Sequence, residues 1–164
     1  MWLSDRRTFL ALLSAAALTG CGFSPVYAPG GAGQALLNSI AVDAPETRDE
    51  QTLMREIETR LGRSSAPRYA LSYDLEVREE RMAVSATNIT TRFNLIGKAD
   101  YTLTDTGTDA VVTQGSVDQF TGYSATGTTV ATLAAERDAH ERLAKILADL
   151  IVTRLIAAAP GITP

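Results

Sequence analysis

Tyr69, Leu71, Tyr73, Leu75 and Val77 alternate strictly with Ala70, Ser72, Asp74, Glu76 and Arg78. Successive side chains of a strand point to opposite faces, so a period of two predicts a strand with one buried face. A second alternating run puts Phe93, Leu95, Gly97, Ala99, Tyr101 and Leu103 on one side, with Arg92, Asn94, Ile96, Lys98, Asp100 and Thr102 on the other. The polar turn from Thr104 to Asp109 then leads to a third strand, Val111 to Tyr123. Three strands joined by short connections make an antiparallel meander. Glu79 and Glu80, flanked by Arg78 and Arg81, fall at the expected end of the first of these strands and read as a charged hairpin tip.

Helical spacing appears twice. Thr47 stands three residues before Glu50, the arrangement of a capping box, and Leu53, Met54, Ile57 and Leu61 follow at helical intervals until Gly62. This predicts a helix from Arg48 to Leu61 whose Arg55, Glu56, Glu58 and Arg60 form a solvated charged face. From Thr129 to Ala159 a longer helix carries a broad apolar stripe through Ala139, Leu143, Ile146, Leu147, Leu150, Ile151, Leu155 and Ala158, and Pro160 and Gly161 end it. Before the first helix, Leu36 to Val42 reads as a short strand. The order strand, helix, three strands, helix implies an α+β fold: a two-layer sandwich with a mainly antiparallel four-stranded sheet and two helices on one face. The other sheet face is then polar and exposed.

The N-terminus follows a different pattern. Arg6 and Arg7 precede an apolar run from Phe9 to Leu18 and the small residues Thr19 and Gly20, which is the layout of a signal peptide over residues 1–20. The run is shorter than the ~20 residues needed to span a bilayer. Leu18, Thr19, Gly20 and Cys21 together resemble the lipobox of bacterial lipoproteins, in which the cysteine is lipidated on sulfur and becomes the new N-terminus. Cys21 is therefore expected to be a membrane anchor, joined by a Gly/Pro-rich tether over residues 21–35 to a single domain over residues 36–164. Arg6 and Arg7 with Thr8, Phe9 and Leu10 also resemble the twin-arginine export motif, although Asp5 stands where Ser or Thr is usual, so twin-arginine and general secretory export both stay open. Either route ends on the periplasmic side of a bacterial envelope. With one cysteine in the chain, no intramolecular disulfide can form there.

Removing residues 1–20 leaves 144 of the 164 residues, enough for one core. It also removes Asp5, Arg6 and Arg7, a net +1, taking the formal charge from −4 to −5. Phosphate neutralisation needs a basic surface, so nucleic acid is not an expected partner. Catalytic groups are scarce. The single histidine, His140, lies inside the last helix and reads as a solvated or helix-packing residue, with Asp138 and Glu141 suited to surface pairing with Arg137, Arg142 and Lys145. No His or Cys cluster has metal-ligand spacing, and no cofactor motif is present. An enzyme is not expected.

Cys21-Gly22-Phe23-Ser24-Pro25-Val26-Tyr27 resembles the mature N-terminus of the LptE family of LPS-assembly lipoproteins, especially its alphaproteobacterial members. The likeness continues through Gly115, Val117 and Tyr123, then Ala131 to Ala139, and Leu147, Ala148, Asp149, Ile151 and Leu155, which are similar to that family's last strand and C-terminal helix. The resemblance implies two helices against a four-stranded sheet and an outer-membrane lipoprotein that sits inside the LptD β-barrel, supports its assembly and binds lipopolysaccharide in transit. It transfers one residue role, the acylated Cys21. For lipopolysaccharide, whose phosphates need local cations on a net-negative domain, the candidates are Arg92 and Lys98 on one strand's polar side, with Arg78 and Arg81 on and just beyond the preceding strand. The alternative for these four is ordinary cross-strand pairing with Glu76, Glu79, Glu80 and Asp100. An accessory lipoprotein of an ABC-type envelope lipid transporter is the alternative that shares the lipobox, size and α+β architecture, and a secreted small-molecule binding domain is a third option.

Overall fold

A computed structural model of the chain describes residues 31–84 and 90–162, so the expected leader over 1–20, Cys21 and the beginning of the tether lie outside the described residues. The element order is a short 3-10 turn (Ala32–Leu36), β1 (Ile40–Val42), α1 (Arg48–Leu61), β2 (Tyr69–Val84), β3 (Thr90–Asp105), β4 (Val111–Ser124), α2 (Thr129–Ala158) and a closing 3-10 turn (Ala159–Gly161). The sheet order is β1-β2-β3-β4. β1 pairs with β2 in parallel, while the β2–β3 and β3–β4 pairs are antiparallel. The expected two-layer α+β fold with a mainly antiparallel four-stranded sheet is the one observed, and both helices pack on one face of it.

The strand expected over Leu36 to Val42 is shorter than the alternation suggested. Only Ile40–Val42 is strand, because Leu36 closes a 3-10 turn and Asn38 takes a left-handed backbone, φ 54°. The Asn38 N–H donates to the Leu61 carbonyl at 2.7 Å, and the Ser39 hydroxyl donates to the Ala35 carbonyl at 2.7 Å, so this segment is a corner. Leu36, fully buried, anchors it. Residues assigned to the end of the tether thus already belong to ordered structure.

α1 starts as its sequence dictates. The Thr47 hydroxyl accepts from the Glu50 N–H at 3.2 Å, and the Glu50 carboxylate accepts from the Thr47 N–H at 3.3 Å and the Glu46 N–H at 2.6 Å. These bonds satisfy donors that no helical carbonyl reaches. The helix ends at Gly62, whose φ of 80° suits glycine. Between β3 and β4 the Asp105 carboxylate accepts from the Gly107 and Thr108 N–H groups at 2.9 and 3.2 Å. Those backbone donors, with Arg68 at 3.5 Å, hold its pKa below the usual carboxylate value.

Leu53, Ile57 and Leu61 of α1 and Leu143, Leu147, Ile151 and Leu155 of α2 meet Leu71, Leu95, Ala99 and Leu103 of the sheet, all of them buried. α2 lies especially close at Gly97, where a β-carbon would come within 2.9 Å of the Leu147 Cδ1 and 3.0 Å of the Leu143 Cδ2. The helices run parallel, since Asp49 meets His140 and Arg60 meets Asp149. α1 therefore begins alongside the middle of α2, and among the described residues the first turns of α2 have no helical neighbour. Among the described residues no helix is long and apolar enough to cross a membrane.

The domain has two distinct ends. At the base, the first 3-10 turn, the end of α1, the β3–β4 turn and the end of α2 come together. At the tip, the start of β3, the end of β4 and the start of α2 meet, with the Ala125 N–H donating to the Thr91 carbonyl at 3.0 Å.

Candidate functional site

The uncovered sheet face carries the side chains opposite in parity to the core. Ladder register sorts them into rows: Asp74, Asp100 and Ser116; Glu76, Lys98 and Asp118; Arg78, Ile96 and Phe120; Glu80, Asn94 and Gly122. Arg92, opposite Ser124, lies nearer the tip on the same face. Arg78, Arg92 and Lys98 thus share the open face, whereas Arg81 is opposite Phe93 and belongs to the helix side of the ladder.

The four cations differ in their partners. Lys98 Nζ donates to the Asp100 carboxylate at 2.7 Å, a bond that raises the ammonium's pKa and lowers the carboxyl's, the Ser116 hydroxyl adding to the latter. Arg78 is 3.5 Å from the Glu76 carboxylate. Arg81 and Arg92 are exposed and make no ion pair among the described residues. In the rows of Glu76 and Asp74 the face holds four carboxylates and one ammonium, so its middle is acidic and its basic groups stand toward the tip.

Glu79 and Glu80 are not at a hairpin tip. β2 continues to Val84, and Glu79 has the parity of Val77 and Leu75. It accepts a hydrogen bond from the Tyr123 hydroxyl at 2.7 Å, across β3, while the Tyr123 ring stacks on Phe93 with centroids 5.2 Å apart. Burial, followed by the Glu79 carboxylate, pushes the Tyr123 hydroxyl's pKa well up. Strand parity was the signal in the sequence for this clamp, and the charged run Arg78 to Arg81 hid it.

His140 packs between the helices, its Nδ1 2.7 Å from the Asp49 carboxylate at the first turn of α1. Beside it an open groove of about 820 Å³ is walled by Arg55, Glu56, Arg137, Glu141 and Lys145 among others. Lys145 donates to Glu141 at 2.6 Å, and Arg142 pairs with Asp138. Such i, i+4 pairs solvate a helix surface. No group of His, Cys, Asp and Glu among the described residues could hold a metal ion.

The molecule these observations define is a two-layer α+β domain that presents surfaces: an acidic uncovered sheet face, a basic rim and a partly bare tip. The chain belongs to the LptE family, whose model, described as Lipopolysaccharide-assembly, matches residues 37–155. A lipoprotein from Caulobacter crescentus is similar in structure with a TM-score of 0.65 and 30% identity, covering 80% of this chain and 98% of that one. Lipoprotein B from Nitrosomonas europaea (TM-score 0.60, 14% identity, 83% and 91% covered) and rare lipoprotein B from Shewanella oneidensis (0.58, 10%, 76% and 96%) share the fold. No curated protein sequence matches the chain. Lipoproteins of the LptE family are structural and non-catalytic, and they are lipid-anchored at the outer membrane facing the periplasm, a placement this chain takes by membership.

Proposed function

We propose that this lipoprotein, tethered through acylated Cys21, supports assembly of the LptD β-barrel from within and contacts lipopolysaccharide on its way to the outer leaflet. The observation that carries this reading is the family match over residues 37–155, joined to a fold whose chemistry lies in exposed surfaces. Each buried CH₂ of an acyl chain contributes ~0.8 kcal/mol in the bilayer, so several chains on Cys21 suffice for attachment without a spanning helix. For lipopolysaccharide phosphates the proposed contacts are Arg92, Arg81, Arg78 and Lys98. Arg92 and Arg81 lead, because Lys98 and Arg78 already face carboxylates and the acidic middle of the sheet repels an anion.

One complementation experiment tests all three parts. Cells depleted of this chain receive the wild type, Cys21→Ala, or Arg81→Ala/Arg92→Ala, and folded LptD, membrane fractionation and lipopolysaccharide binding are measured. The wild type restores LptD folding, Cys21→Ala is no longer cut before residue 21 and does not fractionate with the outer membrane, and the arginine variant keeps folded LptD while binding lipopolysaccharide several-fold more weakly. LptD folding that does not change on depletion overturns the barrel role. Undiminished lipopolysaccharide binding by the double variant removes these arginines.

A further inference from the structure

The sheet has two long open edges. Among the described residues β1 pairs only with Tyr69, Ala70 and Leu71, which leaves β2 without a strand neighbour on that side from Ser72 onward, and β4 is the edge strand at the other end. An open edge presents unpaired N–H and C=O groups, a template for another strand, and charged side chains along it block that pairing. β2 is so protected, with Asp74, Glu76, Arg78, Glu79, Glu80 and Arg81 within ten residues. From Thr113 to Ser124, β4 has only Asp118.

Three hydrogen bonds show which β4 groups face outward. In an antiparallel ladder alternate residues turn both backbone groups to the neighbouring strand and the others turn both away. The Ala125 N–H bonds to β3, whereas the Phe120 N–H donates to the Gln119 side chain at 3.0 Å and the Gly122 carbonyl accepts from the Arg142 guanidinium at 3.3 Å. The register runs unbroken from Thr113 to Ser124, so Gln114, Ser116 and Asp118 also face outward. None of their outward backbone groups has a hydrogen-bond partner among the described residues. Protein side chains thus cap this edge toward the tip and leave Gln114 to Asp118 open.

We infer that the outer edge of β4 around Ser116 and Asp118 accepts an extended segment of a partner protein as a fifth strand, with a lysine or arginine of that segment set against Asp118. The backbone groups call for an extended chain. Asp118 makes no ion pair among the described residues and stands one row from Asp74 and Asp100, so a cation beside it is favoured and an anion excluded. One residue pair toward the tip, exposed Phe120 offers an apolar neighbour. On the helix side the strand would run below the flank of α2 that holds Arg142 and, one turn on, the part-exposed Ile146. A second copy of this chain fits poorly, because β4 against β4 brings two acidic faces together.

The test uses the full-length lipoprotein in detergent and needs neither LptD nor lipopolysaccharide, so its outcome is independent of the function proposed above. The probe is a capped, fluorescently labelled eight-residue peptide with lysine and threonine alternating on one side and valine on the other. Its control has equal charge but proline in place of the threonines, which like the lysines turn their backbone groups toward β4 when lysine lies against Asp118, so the control lacks donors the pairing needs. The first peptide binds at least about tenfold more tightly than the control and slows exchange of the Ser116 and Asp118 amides. Ser116→Pro deletes one outward donor while leaving the bonds to β3, and Asp118→Lys reverses the charge; each weakens binding by about tenfold. If Ser116→Pro does not fold cooperatively, Asp118→Lys and the exchange data decide. Equal binding of both peptides, protection on β2 instead of β4, or self-association through β4 that the peptide does not displace overturns the inference.

Discussion

The base and the tip of the domain are built from the same strands and the same long helix, yet they are sealed very differently. At the base Leu36, Leu61, Tyr69, Leu71 and Leu155 are all at or below 2% exposure. At the tip Met82 is 56% exposed, Val130 80% and Leu133 45%. Local propensity does not account for this, since the β2–β3 ladder continues into the tip and α2 is continuous from Thr129 to Ala158. α1 makes the difference: it covers the base half of α2 and begins only where Asp49 reaches His140. Beyond that level the tip keeps its shape because its elements are extensions of strands and a helix already fixed at the base. Burial stabilises in proportion to the apolar area removed from water, so stability is concentrated at one end and surface is left available at the other.

The largest effect should come from opening the base. Leu155 is fully buried where α2 meets the first 3-10 turn and the sheet. Leu155→Ala removes buried methyl groups and leaves a cavity, at a cost of about 2–5 kcal/mol. For a domain of this size that lowers the thermal midpoint by roughly 10 °C, read by circular dichroism. A fall of only one or two degrees would show that the base is not where the stability resides.

The division between base and tip also marks what the sequence discloses. Alternation identifies the meander because Leu71, Leu95, Ala99 and Leu103 face a helix-covered core, which demands apolar side chains at every second position. It loses β2 after Arg78, where no second helix overlies the strand and Glu79, Glu80 and Arg81 are tolerated although the ladder to β3 persists. At Leu36 to Ser39 it errs the other way, since a buried leucine in a corner imitates the first residue of a strand. The capping box and the apolar stripe of α2 are legible because they depend on neighbours three and four residues apart. The face shared by Arg78, Arg92 and Lys98 was legible by parity alone. The ion partners of Arg78 and Lys98, Glu76 and Asp100, lie two residues away on the same strand and so share that parity, whereas the pairing of Glu79 with Tyr123 and the bare groups of β4 depend on cross-strand register, which periodicity does not encode.

A middle-sized effect is expected at the Tyr123–Glu79 bond, a polar tie between β2 and β4 near the tip. Tyr123→Phe should cost about 1 kcal/mol near neutral pH, the net worth of one hydrogen bond. The pH dependence sharpens the assignment. Because the folded-state pKa is raised, the contribution is fully present below the unfolded value of about 10 and is lost as pH rises from there through the folded value. In that window the unfolded tyrosine releases its proton first and stability falls. Tyr73, raised to about 12 by burial and then by Glu50, Asp43 and Glu46, adds a second group of the same sign. The variant should therefore retain part of the alkaline fall, with a slope shallower by ~1.4 kcal/mol per pH unit. An unchanged slope in urea titrations between pH 9 and 11 would remove Tyr123 as its source.

The smallest effect belongs to the tip surface. Val130 and Leu133 lie in the first turns of α2, beyond the reach of α1, and both are exposed in the folded chain. Replacing them loses little apolar burial, and exposed helix positions respond mainly through intrinsic propensity, in which alanine exceeds both residues. Val130→Ala/Leu133→Ala should thus change stability by no more than about 0.5 kcal/mol, against several for Leu155→Ala. Combined with Leu155→Ala it should be additive to within about 0.5 kcal/mol, because the two sites lie at opposite ends of a helix ~45 Å long and share no partner. Urea unfolding of the three variants measures both quantities. A loss at the tip matching that at the base would mean that these side chains are covered in the isolated chain, and the contrast between the two ends would collapse.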